Sequence, residues 1–265
     1  MIYNYIHTMK LYSLFGLSFA ILFSGAQMVT ITVKNNCAFT IWPATLTGGG
    51  GAQLPNTGFE LPSQEEEPIE VPATWTAGVI WARTQCSGSF TCATGDCGSG
   101  QVACNGAGPK PPATLAEFTL GANDGQDTFD VSLVNGFNLP VSIAPQGGSG
   151  PICTTTSCAA DVNAVCPPDL VVPGSDGNTI ACNSACDVFG NPEFCCTGDF
   201  DSAETCEPSE FSMVFKEQCP QAYSYAFDDE TSTFVCSGGP DYRVTFCPLS
   251  QPFRVDSKLD FDSSI

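Results

Sequence analysis

Glu117 and Asp130 are the residues whose types and spacing point most directly to chemistry. In residues 114–120, Ala116, Phe118 and Leu120 share one face of an alternating segment and Glu117 points to the other. In residues 127–133, Phe129, Val131 and Leu133 form the apolar set and Asp130 opposes them. The linker between the two segments contains Asp124-Gly125, a hairpin signal. With Asn123-Asp124 as the loop, Glu117 faces Asp130 directly across the strand pair; with Asp124-Gly125 as the loop, the two are diagonal neighbours. Like charges placed so closely cost a few tenths to about 1 kcal/mol and raise one of the two pKa values. Two carboxyl groups driven apart in this way can act as acid and base, or as a hydrogen-bonding surface. The competing reading is an ordinary polar sheet face with Arg83 close enough to relieve the repulsion.

Other chemistries are closed off by what the chain lacks. Its one histidine, His7, falls in an amino-terminal segment expected to be removed, so neither a Ser-His-Asp nor a Cys-His mechanism is available to the mature chain. The sixteen cysteines include no pair at the two-residue separation of a metal site, and no histidine accompanies them. They read as disulfides formed in an oxidising compartment, with no metal and no cofactor. Glu65-Glu66-Glu67 reads as a solvated loop rather than a cation site.

Residues 1–26 have the form of a signal peptide: Lys10 precedes the apolar run of residues 11–23, and Ser24-Gly25-Ala26 supplies the small residues of a cleavage site. The run is too short for a membrane anchor, which needs about 20 apolar residues. Either Met1 or Met9 could be the start, Met9-Lys10 making the more ordinary beginning. The formal charge of −20 becomes more negative once Lys10 is removed. A surface this acidic disfavours nucleic acid and anionic lipid as partners. The expected product is a secreted monomer without a stable membrane anchor.

The elements that must hold the two carboxyls are strands. Short alternating segments recur at residues 29–33, 39–42, 79–83, 114–120, 127–134, 139–143, 233–236 and 242–246, cut apart by twenty prolines and twenty-six glycines. Between Cys153 and Cys219 the alternation stops and nine cysteines crowd together, the texture of a lobe held by staples. Its clearest regular element is a helix from Ser209, with Phe211, Val214, Phe215 and Cys219 on one face and Pro220 as its stop. The expected fold is mainly β: an antiparallel β-sandwich with a disulfide-rich lobe containing a short helix.

The sequence from Gly88 to Cys104, with Cys92, Thr94-Gly95-Asp96-Cys97, Gly100 and Cys104, resembles the signature of the thaumatin-like proteins, the fifth family of plant pathogenesis-related proteins. The likeness extends through Asn35-Asn36-Cys37, Trp81-Ala82-Arg83-Thr84, residues 111–117, Gly136-Phe137-Asn138, Cys195-Cys196, residues 219–225 and residues 242–248. Sixteen cysteines match the long form of that family. The resemblance implies the pairs Cys37–Cys247, Cys86–Cys92, Cys97–Cys104, Cys153–Cys236, Cys158–Cys219, Cys166–Cys182, Cys186–Cys195 and Cys196–Cys206. It also implies a flattened antiparallel β-sandwich from residues 27–83, 113–158 and 220–248, a small two-disulfide loop domain at 84–112, a disulfide-rich lobe at 159–219 and a tail at 249–265.

Members of the family carry an acidic cleft lined by one Arg, one Glu and three Asp. Here the matching residues are Arg83, Glu117, Asp130 and one of Asp228 and Asp229, with Asp228 preferred. Asn135 stands where members with the full set have the remaining Asp. The implied function is antifungal plant defence by binding β-1,3-glucan, or another polysaccharide of the fungal wall. One alternative is a weak endo-β-1,3-glucanase with Glu117 as general acid and Asp130 or Asp228 as base or nucleophile; the other is a stress-accumulated protein with no dedicated ligand. Because an amide at position 135 cannot act as base, binding is the preferred reading. The tail, if a sorting propeptide, would redirect the protein from the apoplast to the vacuole.

Overall fold

The computed structural model describes residues 27–249. The signal peptide, His7 and the tail beyond Leu249 lie outside the described residues. Twelve strands follow one another along the chain: β1 (Met28–Asn35), β2 (Trp42–Thr47), β3 (Glu66–Pro72), β4 (Gly78–Arg83), β5 (Leu115–Gly121), β6 (Gln126–Ser132), β7 (Val141–Gln146), β8 (Thr156–Cys158), β9 (Val171–Pro173), β10 (Thr179–Cys182), β11 (Phe234–Ser237) and β12 (Asp241–Phe246). Two five-stranded sheets, ordered β3-β1-β12-β7-β8 and β11-β6-β5-β4-β2, make the sandwich, and β9 and β10 form a separate ribbon in the lobe.

The alternation that marked the strands also fills the space between the sheets. Val29, Ile31 and Val33 of β1 are buried, as are Tyr242, Val244 and Phe246 of β12. Tyr242 reaches across to the other sheet, its ring 5.4 Å from that of Phe118 and 5.2 Å from that of Phe129. Its hydroxyl donates to Asp127 at 2.8 Å, so the one polar atom it buries is satisfied.

Three local expectations are corrected. The β1–β12 pair is parallel, within a sandwich whose other strand pairs are antiparallel. The segment at residues 39–42 forms a strand only from Trp42 onward, Ile41 making an isolated bridge to Leu61. Of the acidic trio only Glu65 stays in the loop: Glu66 and Glu67 open β3 at the edge of its sheet, and Glu66 pairs with Arg243 at 2.7 Å. Charge on an edge strand discourages pairing with another chain, which accounts for acidic residues in a strand.

All eight disulfides implied by the resemblance are present, and none of the described cysteines is free. Cys37–Cys247 ties the two ends of the sandwich across a separation of 210 residues, beside the parallel β1–β12 pair. In the lobe, the helix Glu210–Gln218 begins at Ser209, whose hydroxyl accepts from the Ser212 N–H at 3.1 Å. Phe215 and Cys219 are buried on its inner face, with Phe211 and Val214 half-buried.

The signature loop folds around Asp96, whose carboxylate accepts from the N–H groups of Cys92 at 2.7 Å and Gly98 at 2.6 Å. Gly95 precedes it with φ +64°, and its carbonyl accepts from the buried Trp81 indole at 2.8 Å. A Cβ at this position would stand 2.8 Å from the Ala82 carbonyl oxygen. Gly95→Ala is therefore expected to cost about 1–3 kcal/mol from backbone strain and forced displacement. The check is a lowered melting temperature accompanied by new protease cleavage within residues 84–112.

Candidate functional site: an acidic cleft on the sheet

The hairpin between β5 and β6 resolves the open register. Glu117 pairs directly with Asp130, the turn being residues 122–125 with Asn123 and Asp124 at its centre. Directly opposed residues have Cβ atoms about 4.5–5.5 Å apart, so the two carboxyl groups meet on the polar face of the sheet. Ser132 lies beside them in the lining of the same cleft. The cleft above them has a volume of about 360 Å3 and is lined further by Asn135, Tyr223, Ala226 and Asp229.

Tyr223 shapes the opposite wall. Its backbone is stitched to β6, the N–H donating to the Val131 carbonyl at 2.9 Å and the carbonyl accepting from Leu133 at 2.8 Å. Its hydroxyl donates to Asp229 at 2.6 Å and lies 2.5 Å from the Thr233 hydroxyl. The ring is held on both sides, and Asp229 is drawn to the rim. Sequence reasoning missed Ser132, and also Tyr223, although Tyr223 lies in a segment that carried the family likeness.

The electrostatics follow from crowding. Burial raises the Glu117 pKa. Burial is also the largest cause for Asp130, followed by the charges of Glu117 and Asp229, and together they lift it to about 8. No lysine or arginine contributes to either shift. Asp130 Oδ1 is buried without a hydrogen-bond partner. Near neutral pH the pair therefore holds a proton and can both donate to and accept from a hydroxyl group.

Two sequence expectations for the cleft are corrected. Arg83 does not line it. The side chain is fully buried beneath the signature loop, with Nε donating to Trp42 O at 3.0 Å, Nη2 to Val102 O at 2.7 Å and Pro43 O at 3.3 Å, and Nη1 to Gln101 O at 3.5 Å. Its guanidinium sits 5.0 Å from the centre of the Phe90 ring, and burial pulls its pKa down to about 10 against the opposing field of Asp96. Asp228 is likewise engaged elsewhere: it pairs with Lys216 at 2.8 Å and accepts from the Ser224 N–H at 2.9 Å. Its neighbour Asp229 is the one at the cleft. Asn135 lines the cleft, its amide offering one donor group and one acceptor.

A disulfide-stapled β-sandwich bearing an acidic cleft on one sheet defines the class. Residues 35–248 match the Thaumatin family, and the chain belongs to it. Thaumatin-like protein 1a of Malus domestica is 58% identical over 241 residues, covering 89% of this chain and 97% of that relative. Thaumatin-like protein 1 of Castanea sativa is 57% identical, covering 91% of this chain and all of that relative. A Prunus avium relative named glucan endo-1,3-beta-glucosidase is 56% identical, covering 88% of this chain and 96% of its own length.

Proposed function

We propose that the chain is a secreted defence protein that binds β-1,3-glucan of fungal walls in the cleft of Glu117, Asp130, Asn135 and Asp229, with little or no cleavage. The observation that carries this reading is the direct opposition of Glu117 and Asp130 on neighbouring strands of one sheet. Glycosidases place their two carboxyl groups about 5–5.5 Å apart for retention or about 6.5–9.5 Å for inversion, on either side of the scissile bond. Two groups opposed on adjacent strands of one sheet face act as one unit on one side of a bound chain. Such a unit, with the Asn135 amide and the Tyr223 ring beside it, suits hydroxyl groups and a sugar face. Eight disulfides support export to an oxidising compartment.

The printed name of the Prunus avium relative favours a second reading, hydrolysis. Here it would need the protonated Glu117–Asp130 pair as acid and Asp229 as the distant carboxylate. Incubation with insoluble β-1,3-glucan separates the two. Under the binding reading the protein pellets with the polysaccharide and liberates no more reducing ends than Glu117→Gln does. Reducing ends released by the parent chain and abolished in Glu117→Gln would establish the second reading instead.

A further inference from the structure

A second, mostly apolar cavity shares no residue with the acidic cleft. About 620 Å3 in volume, it opens where the start of β2, the segment before β7 and the lobe ribbon converge. Its walls are Phe39, Trp42, Leu139, Pro140 and Ile180, with Asn163 of the lobe beside them. Small-molecule sites occupy about 300–1,000 Å3 and combine such walls with a few placed polar groups.

Three features make it more than a packing defect. Trp42 is half-buried at the cavity, whereas Trp75 and Trp81 are 3% and 0% exposed in the core. Phe39, next to it in the lining, is 48% exposed, so two aromatic faces are available where one would expect burial. The third feature is Asn163. Its Nδ2 donates to the Asn138 carbonyl at 3.5 Å, which fixes Oδ1 as the free acceptor, and Oδ1 is buried without a partner. An orphan acceptor costs about 1–3 kcal/mol, which a ligand donor would offset once the half-buried amide turned towards the cavity.

We propose that this cavity is a second sugar site, for a β-linked N-acetylated pyranose. The class follows from the lining. A pyranose ring has an apolar face for Trp42 and Phe39 and hydroxyl groups for the polar rim of Thr40, Gln85 and Thr179. An acetamido group adds what an unsubstituted glucose lacks: a methyl for Leu139 and Ile180, and an N–H donor for Asn163 Oδ1. The site is independent of the glucan reading of the cleft.

The test uses the three indole N–H peaks of the 15N-labelled mature protein. Those of Trp75 and Trp81 are hydrogen-bonded in the core, to Thr47 Oγ1 and Gly95 O. On titration with triacetylchitotriose, the Trp42 peak is expected to shift saturably while the other two stay in place. Laminaritriose should shift it at least about tenfold more weakly, the loss of one good hydrogen bond and a methyl contact. Asn163→Leu should weaken triacetylchitotriose by a similar factor, and Phe39→Ala should do likewise. A Trp42 peak that ignores triacetylchitotriose, responds equally to both sugars, or responds undiminished in both Asn163→Leu and Phe39→Ala overturns the proposal. Its failure would leave laminarin binding at the cleft untouched, and the reverse holds as well.

Discussion

Arg83→Met is expected to lower the melting temperature by on the order of 10 °C while leaving the sugar affinity of the folded protein unchanged. The guanidinium satisfies the carbonyls of Trp42, Pro43, Gln101 and Val102 at once, binding the start of β2 to the far side of the signature loop. Each buried group left without its donor costs about 1–3 kcal/mol, and a domain of this size loses about 2–4 °C per kcal/mol. Arg83→Lys should recover little of the loss, because three donors on one nitrogen cannot span acceptors that a planar fork reaches on two sides. The check is a thermal melt beside a glucan-binding measurement made well below the transition. A variant of normal stability with lost affinity would return Arg83 to the cleft.

Asp130→Asn is expected to flatten the pH dependence of stability and raise the melting temperature by several degrees at pH 8. The folded-state pKa of Asp130, about 8, lies above its ordinary 3.8. Between those values the folded chain binds more protons than the unfolded chain, so stability falls as pH rises. The favourable contribution is fully present below about pH 4, declines through the interval and is lost above about pH 8. Replacing the carboxyl with an amide removes both the ionisation and the repulsion from Glu117 and Asp229. Melts at pH 4.5, 6 and 8 check this: parent and variant curves should diverge steadily with pH. Parallel curves would mean that Asp130 ionises normally and that the pair is not proton-sharing.

The paired carboxyls were legible in the sequence because strand alternation has a period of two, and two alternating segments joined by a hairpin can oppose only a few positions. What the hairpin signal left open, direct or diagonal pairing, depended on the turn conformation, in which Gly121, Asp124 and Gly125 all take positive φ. The role of Arg83 could not be read in the same way. Its partners are main-chain carbonyls, which every residue has, supplied by a loop that folds back from residues 101 and 102. The choice between Asp228 and Asp229 turned on Lys216, on a helix upstream in the chain, and nothing in adjacent residues marks that contact. The parallel β1–β12 pair escaped for a related reason: strands separated by nearly the whole chain leave no local trace of their direction. Motif likeness supplied the disulfide pairing, which spacing alone leaves undetermined.

On the function proposed above, the Glu117–Asp130 cleft holds β-1,3-glucan. Calorimetric titration of the mature protein with laminarihexaose tests it most directly, with Asp130→Ala and Arg83→Met measured under the same conditions below their melting transitions. Saturable binding, weakened at least about tenfold in Asp130→Ala and unchanged in Arg83→Met, is the predicted result. No binding by the parent chain, or equal affinity in the parent and Asp130→Ala, would contradict it.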